Sequence, residues 1–382
     1  MVDKPVMLAN FAAFNTHGIP LDRALDIALA AERSRNFLPT IDGLTVGLSS
    51  GTSGTRGVFL VSPAERERWA GVILARVLTP ASLRRLFNPF ALPLSVSFFL
   101  RANSNLYESL GRRRLGFVFH DLTLPMDAHV RALNRRPPDV LVAPPTVLRQ
   151  LADAVLGGTL QIVPQQVVSV AEVLEADDRL LIENAFRVPL QEIYQATEGF
   201  LGASCPAGRV HLNEELIHVE PEWLDAEQRR FRPVVTDFSR TTQLIVRYRL
   251  DDVLIDAGSP CACGRVTRSL EAVEGRADDV LWAARLGDGC DMPVFPDVVR
   301  RSMAQADAVM RDYRIEQHGD EWHVRLDAES DAALAVRREL EGLCRTLHVQ
   351  APRLVFNEWR AASALEKRRR IRCVIRRSGA AA

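Results

Sequence analysis

DVLVAPPTVLRQLADAVLGG, residues 139–158, sets the fold class of this chain. Residues 139–143 form a short apolar run of the kind that makes a buried strand, and Pro144-Pro145 ends it. Residues 146–156 have the apolar spacing of a helix, closed by Gly157-Gly158. The same rhythm continues downstream: 166–170 reads as a second strand, 176–186 as a helix, and 191–194 as a third strand leading into the loop 195–199. Such alternation predicts an α/β core whose ligand loops lie at strand ends.

Upstream, 44–48 and 58–61 are apolar strands flanking the small-residue loop SSGTSGTRG at 49–57. A helix then starts at Ser62, where Ser62, Pro63 and Glu65 have capping-box spacing. The first forty residues read as helical, with Ala24, Leu25, Ile27, Ala28 and Ala31 on one face. Downstream, 232–256 alternates strands and turns and predicts a β-rich subregion. After Gly275 a shorter α+β pattern follows (298–310, 322–326, 332–347). The expected organisation is a large N-terminal domain, 1–275, and a small C-terminal one, 276–382, as a length of 382 residues favours.

An apolar fraction of 47% with 25% charged residues is that of a soluble globular enzyme. No apolar run approaches the roughly 18 residues that span a bilayer, so no membrane partner is expected. The N-terminus lacks the pattern of a secretory signal, which makes the cytoplasm the expected compartment. The 48 basic and 48 acidic side chains cancel and are mixed along the chain, so nucleic acid is not an expected partner. Six cysteines are too few for a disulfide scaffold of this size. Only two cations are lysines, Lys4 and Lys367. Lys367 is therefore either a site that needs a compact ammonium or a surviving surface residue.

Three glycines in the 49–57 loop allow backbone N–H groups to point inward, and its hydroxyls and one guanidinium add donors, as a phosphate cradle requires. The Gly-Lys-Ser/Thr ending of nucleoside-triphosphatase loops is missing, and by composition alone an ordinary flexible loop fits as well. In order along the chain come SSGTSGTRG (49–57), YQATEG (194–199), RYRLDD (247–252), EGRADD (274–279) and EKRRR (366–370). This series resembles the adenylate-forming (AMP-binding) superfamily, and more closely its branch of phenylacetate–CoA ligase, deazaflavin-adenylylating synthetases and capsule-type relatives. The resemblance runs from about residue 44 to residue 367.

The resemblance implies a large AMP-binding domain and a small mobile domain. It implies nucleotide contacts from Ser49, Ser50, Gly51, Thr52, Ser53, Gly54, Thr55 and Arg56. Tyr194 would stack on adenine, Thr197 would donate to the α-phosphate, and Glu198 would hold Mg²⁺. Asp252 would accept the ribose hydroxyls and Arg276 would touch ribose or phosphate. Glu172, in SVAE at 169–172, stands where the family's strand end lines the adenine and acyl pockets. Asp278 matches the hinge, and Lys367 the lysine that stabilises charge on the α-phosphate. Arg368, Arg369, Arg370 and Arg372 form either a basic patch or a solvated terminal strand.

The residues Cys205, His211, Cys261 and Cys263 could be free thiols beside a histidine or the ligands of structural zinc; spacing alone favours thiols. The resemblance, whose relatives carry a similar Cys…His…Cys-x-Cys-Gly set, implies Zn²⁺. Together these features imply ATP-dependent activation of a carboxylic acid, aryl by expectation, to acyl-AMP, then transfer to a thiol of CoA or an acyl carrier protein. Phe98 and Phe99 could line an aromatic-acid pocket or pack the core. The alternative is a nucleotidyltransferase that adenylylates a hydroxyl of a cofactor such as a deazaflavin. Arg56 in place of the loop's usual Pro-Lys, and Glu366 in place of Gly, depart from the family pattern.

Overall fold

The computed structural model describes residues 1–34, 40–49, 56–100, 114–306, 310–328, 332–360 and 369–377. The βα alternation is realised as neighbouring parallel strands in the order Leu190–Ala196, Gln166–Ser169, Val140–Ala143, Leu94–Leu100 and Leu115–Asp121. Helices Met126–Arg135, Pro145–Leu156 and Ala176–Phe186 add Leu133, Leu148, Leu151 and Ile182 to a core with Phe99, Leu141 and Val167. The central strands are buried along their whole length, which is why they read as unbroken apolar runs rather than alternating ones.

Beyond Leu190–Ala196 the sheet turns antiparallel. Gly199–Ser204 pairs with it, followed by Val210–Leu212, Ser269–Arg276, Asp252–Asp256, Arg230–Asp237 and Ile217–Trp223. The loop expected at 195–199 is thus shorter: the strand runs on to Ala196, the next begins at Gly199, and Thr197 and Glu198 alone form the turn. A separate antiparallel sheet of Thr40–Ile41, Leu44–Leu48 and Val58–Val61 packs with Phe11, Ile19 and Ala24.

Local signals account for most element ends. Helix Pro63–Val77 opens with both arms of the Ser62/Glu65 capping box. In the first forty residues, helix is confined to Lys4–Ala9 and Leu21–Ser34 among the described residues. Asn15 interrupts it: its side chain donates to the Phe11 and Ile19 carbonyls and accepts from Ile19 N–H, building a turn in place of a helix.

The chain divides into two compact units, 1–250 with 254–273 and 251–253 with 274–382. The second has a mixed sheet of Arg353–Asn357, Glu321–Ala328, Met310–His318 and Ile371–Ile375, with helices Pro296–Gln305 and Ala332–Thr346 packed through Val299, Val336 and Leu340 onto Ile315, Trp322 and Val324. The periodic stretch 298–310 is divided between a helix and a strand, because apolar spacing over so short a run fits either. Among the described residues no helix is long and apolar enough to cross a membrane.

Candidate active site and candidate metal centre

The glycine-rich loop is tied at its root. Ser49 N–H donates to the Gly57 carbonyl at 2.8 Å, and Gly57 N–H donates to Ser49 Oγ at 2.6 Å. A Cβ at Gly57 would meet the Phe59 ring at 2.8 Å, so the chain needs glycine there. Ser50, Gly51, Thr52, Ser53, Gly54 and Thr55 lie outside the described residues. Arg56 donates through both terminal nitrogens to Glu32 at 2.7 Å and through Nε to the Ser49 carbonyl at 3.3 Å. These bonds to Glu32 raise its pKa above the usual arginine range despite partial burial. Its guanidinium therefore clamps the loop exit to helix Leu21–Ser34.

Thr197 and Glu198 form the hairpin tip where the sheet changes from parallel to antiparallel. The Thr197 methyl lies 3.8 Å from where a Cβ on Gly47 would be, so the tip abuts the strand that enters the loop. Glu198 is 8% exposed and Tyr194 6%, the latter packed in a cluster with Phe59, Leu201 and Val210. A buried carboxylate requires compensation by hydrogen bonds or opposite charge.

Beside Gly199 lies a recess lined by Val61, Glu65, Trp69, Asp237, Ser239 and Arg240, among others. Glu65 extends its capping role there. One oxygen accepts from Ser62 N and Oγ at 2.8 and 2.9 Å, and the other accepts from Thr241 N at 2.6 Å and Thr242 N at 2.8 Å. Burial pushes its carboxyl up, but the hydrogen bonds outweigh that and hold it at about 2. No motif marks Arg240 or this second half of Glu65's contacts, because their partners are 176 to 180 residues distant in sequence.

Glu172 accepts from Thr146 Oγ1 at 2.7 Å and N at 3.4 Å, so it serves helix Pro145–Leu156, whose N-cap Pro144 has no side-chain acceptor. Ala171 before it has φ +71°, in the left-handed region that favours glycine. Phe98 and Phe99 are core residues, 7% and 0% exposed, and Phe99 stacks on His120 with centroids 4.3 Å apart.

In the second unit, Arg276 donates to Asp251 at 3.1 Å and lies 3.6 Å from Asp278. Asp252 begins strand Asp252–Asp256. A Cβ at Gly275 would come within 2.8 Å of Asp279, whose carboxylate accepts from Arg276 N–H at 2.7 Å. Arg369 donates to Asp278 at 3.0 Å and to Asp279 at 2.8 Å, and Arg370 donates to Asp312 while lying over the Tyr313 ring. Neither fits a solvated strand or a free basic patch; both are ion-paired cations. Lys367 and Arg368 lie outside the described residues.

At the far end of strand Gly199–Ser204, the ligand atoms of Cys205, His211, Cys261 and Cys263 all lie within 4.8 Å of one another. Two tight turns, Cys205 to Arg209 and Cys261 to Gly264, the latter with Gly264 at φ +79°, present the cysteines, and strand Val210–Leu212 carries His211. Cys205 Sγ is 3.6 Å from Cys261 Sγ, and Cys263 Sγ is 3.5 Å from His211 Nε2. His211 Nδ1 faces the Thr267 carbonyl at 3.0 Å; a carbonyl only accepts, so Nδ1 carries the proton and Nε2 is free to ligate. Such a group could hold a metal ion.

No family model and no curated protein matches the sequence. Solved structures do. The chain is similar to 2-hydroxyisobutyryl-CoA ligase in complex with 2-HIB-AMP (TM-score 0.65, 17% identity, 98% of this chain and 79% of that one). It is also similar to the amide bond synthetase McbA from Marinactinospora thermotolerans (TM-score 0.58, 14% identity, 85% and 67%). A third similar structure is the anthranilate CoA ligase AuaEII in complex with anthranoyl-AMP (TM-score 0.55, 14% identity, 85% and 65%). At such identities the likeness is one of fold: this chain has the α/β fold of adenylate-forming ligases.

Proposed function

We propose that this chain is an adenylate-forming ligase of the phenylacetate–CoA ligase branch, which activates a carboxylic acid, aryl by preference, as its acyl-AMP and passes the acyl group to the thiol of CoA or a carrier protein. The observation that carries this reading is the seating of the Thr197–Glu198 turn against Gly47, at the root of the glycine-rich loop. In the first step a carboxylate oxygen attacks the α-phosphorus of ATP, the bond to the bridging oxygen breaks, and pyrophosphate leaves. In the second the thiol sulfur attacks the acyl carbon, AMP leaves, and the thiol proton passes to solvent. Neither step needs a side-chain nucleophile.

In this reading the loop from Ser49 to Arg56 cradles phosphates, with Arg56 acting as the clamp on its exit. Thr197 donates its hydroxyl to the α-phosphate, Tyr194 faces adenine, Asp252 accepts the ribose hydroxyls, and Arg276 supports ribose or phosphate. Glu172 shapes the pocket wall through its bond to Thr146. Lys367 neutralises charge developing at phosphorus. Asp278, ion-paired to Arg369 and Arg276, is the hinge. Glu198, an oxygen donor at the turn, suits Mg²⁺, which when bound neutralises phosphate charge.

The cysteine–histidine cluster fits structural zinc. A three-sulfur, one-nitrogen set is a common zinc site, and metal–sulfur bonds of about 2.3 Å in a tetrahedron put sulfurs about 3.7 Å apart. The 3.6 Å between Cys205 Sγ and Cys261 Sγ matches that spacing, and the 3.5 Å from Cys263 Sγ to His211 Nε2 suits the shorter metal–nitrogen bond.

A panel of aryl and fatty acids, assayed by pyrophosphate release and by mass spectrometry of the adenylate, tests the proposal. Release only in the presence of an acid, with a product of acyl-AMP mass, is expected. AMP joined to a hydroxyl, with no acid required, overturns it in favour of a nucleotidyltransferase.

A further inference from the structure

Between helix Pro80–Phe87 and strand Leu94–Leu100 the chain turns through Phe-Asn-Pro-Phe-Ala-Leu-Pro, residues 87–93. Phe87 is 80% exposed, Phe90 96% and Leu92 77%. Single apolar side chains at a surface are ordinary, but three projecting from one turn form a patch. Two arginines hold this turn from within. Arg114 donates to the carbonyls of Arg85, Asn88, Pro89 and Ala91, and Arg85 donates to those of Leu92 and Pro93 at 2.9 Å. Phe90 N–H donates to Asn88 Oδ1 at 3.0 Å, Ala91 N–H donates to the Asn88 carbonyl at 3.2 Å, and Pro89 and Pro93 have no N–H to place.

In water a turn needs no such arrangement, because solvent satisfies its carbonyls. In an apolar phase every unbonded carbonyl is costly, so a turn whose carbonyls are bonded by its own protein is equipped to leave water. Cations stand round it. Arg84, one helical turn before Phe87, and Arg135 and Arg136, at the end of helix Met126–Arg135, are exposed. A Cβ on Gly116 would lie 2.9 Å from Arg136 Nη2 and 3.7 Å from the Leu94 carbonyl, which sets Arg136 beside the root of the turn. The neighbouring carboxylate, Asp139, is engaged by Arg85 and by Ser95 N–H, each at 2.8 Å. An apolar tip with an arginine rim complements an anionic lipid surface. A second copy docked there about a two-fold axis would instead set arginines against arginines.

We propose that residues 87–93 are a peripheral membrane anchor: Phe87, Phe90 and Leu92 enter the boundary between headgroups and acyl chains of an anionic bilayer, and Arg84, Arg135 and Arg136 meet its phosphates. The length of apolar runs, which excludes a span, does not bear on such a contact. The turn precedes the amino end of strand Leu94–Leu100, whereas Thr197 and Glu198 follow the carboxyl end of strand Leu190–Ala196, which runs parallel to it in the same sheet. A chain anchored by this turn therefore keeps the Thr197–Glu198 end open to solvent.

Flotation of the full chain with vesicles of phosphatidylcholine and phosphatidylglycerol, against vesicles of phosphatidylcholine alone, tests this without any turnover. Binding to the anionic vesicles, weakened by salt, is expected. Phe90→Ser and Leu92→Ser should each weaken it about 10-fold, as the loss of one inserted apolar side chain implies, and should leave the thermal midpoint unchanged because both side chains are exposed. Arg84→Gln and Arg135→Gln should each weaken it about 5-fold. Phe90→Trp should gain fluorescence quenching by lipids brominated in their acyl chains, which adsorption by charge alone does not give. Flotation that is absent, or that Phe90→Ser leaves intact, overturns the proposal. Absent flotation together with a dimer that Phe90→Ser abolishes assigns the turn to a second copy instead.

Discussion

The strand Gly199–Ser204 joins two polar clusters about 20 Å apart, and they are built on opposite principles. At its start, the recess beside Gly199 is lined by groups bonded to distant parts of the protein: Glu65 accepts from Ser62, Thr241 and Thr242, and Arg240 donates to the Leu60 carbonyl. At its end, Cys205, Cys261, Cys263 and His211 face one another, with His211 also bonded to the Thr267 carbonyl. Thiols are weak hydrogen-bonding groups, so on the zinc reading that end would gain most of its cohesion from the bound ion. On the proposed reading, the first cluster is preformed by protein contacts, whereas the second would be a fastener that depends on its ion.

Substitutions sharpen the contrast. Glu198→Gln should lower acid-dependent pyrophosphate release by about 100- to 1000-fold, as expected when several kcal/mol of charge stabilisation is lost. Its thermal midpoint should change little; a normal rate would remove Glu198 from the metal site. Cys263→Ser should do the reverse. Metal analysis should find about one equivalent of zinc per wild-type chain and a loss in the variant, with several kcal/mol of stability lost as well. An equally stable, metal-free wild type breaks the comparison.

Acid should destabilise the first unit in two stages, at separate places in it. His120 is buried against Phe99 and His129, and burial, with repulsion from His129, holds it down at about 4 against an ordinary 6.5. A histidine kept neutral by the fold stabilises it above pH 6.5, and that contribution falls away as pH drops toward 4. Glu65 follows: its carboxyl is held at about 2 against 4.5, so its share is complete above pH 4.5 and is lost as pH falls toward 2. That share is about 3 kcal/mol. Urea titrations from pH 7 to about pH 2 should show the lower stage vanish in Glu65→Gln and the upper in His120→Phe. A parallel decline in all three proteins would contradict both assignments. The smallest effect is expected at Ala171, where glycine should relieve the left-handed backbone and stabilise by about 0.5–1 kcal/mol in chemical denaturation. A destabilised Ala171→Gly would show that the methyl group is needed there.

What sequence makes legible is what local chemistry determines. The capping box at Ser62 and Glu65, strands Leu44–Leu48 and Val58–Val61, and helix Ala176–Phe186 follow from short-range patterns and occur as read. Clustering of Cys205 and His211 with Cys261 and Cys263, about fifty residues later, became plausible only through resemblance. Arg240 was not legible at all: nothing in Asp-Phe-Ser-Arg announces burial, and the carbonyl it donates to belongs to Leu60. The same holds for Arg56 with Glu32 and for Arg369 with Asp278 and Asp279. Composition marks arginines as solvent-facing by default, and tertiary contact decides otherwise.

The central claim is tested most directly by exchange of labelled pyrophosphate into ATP. With the purified chain, Mg²⁺ and an aryl acid, exchange should appear, depend on the acid, and be nearly abolished in Lys367→Ala, whose ammonium is proposed to stabilise the α-phosphate during this step. Exchange that proceeds without any acid, or ATP that is consumed to ADP and phosphate, would contradict the account.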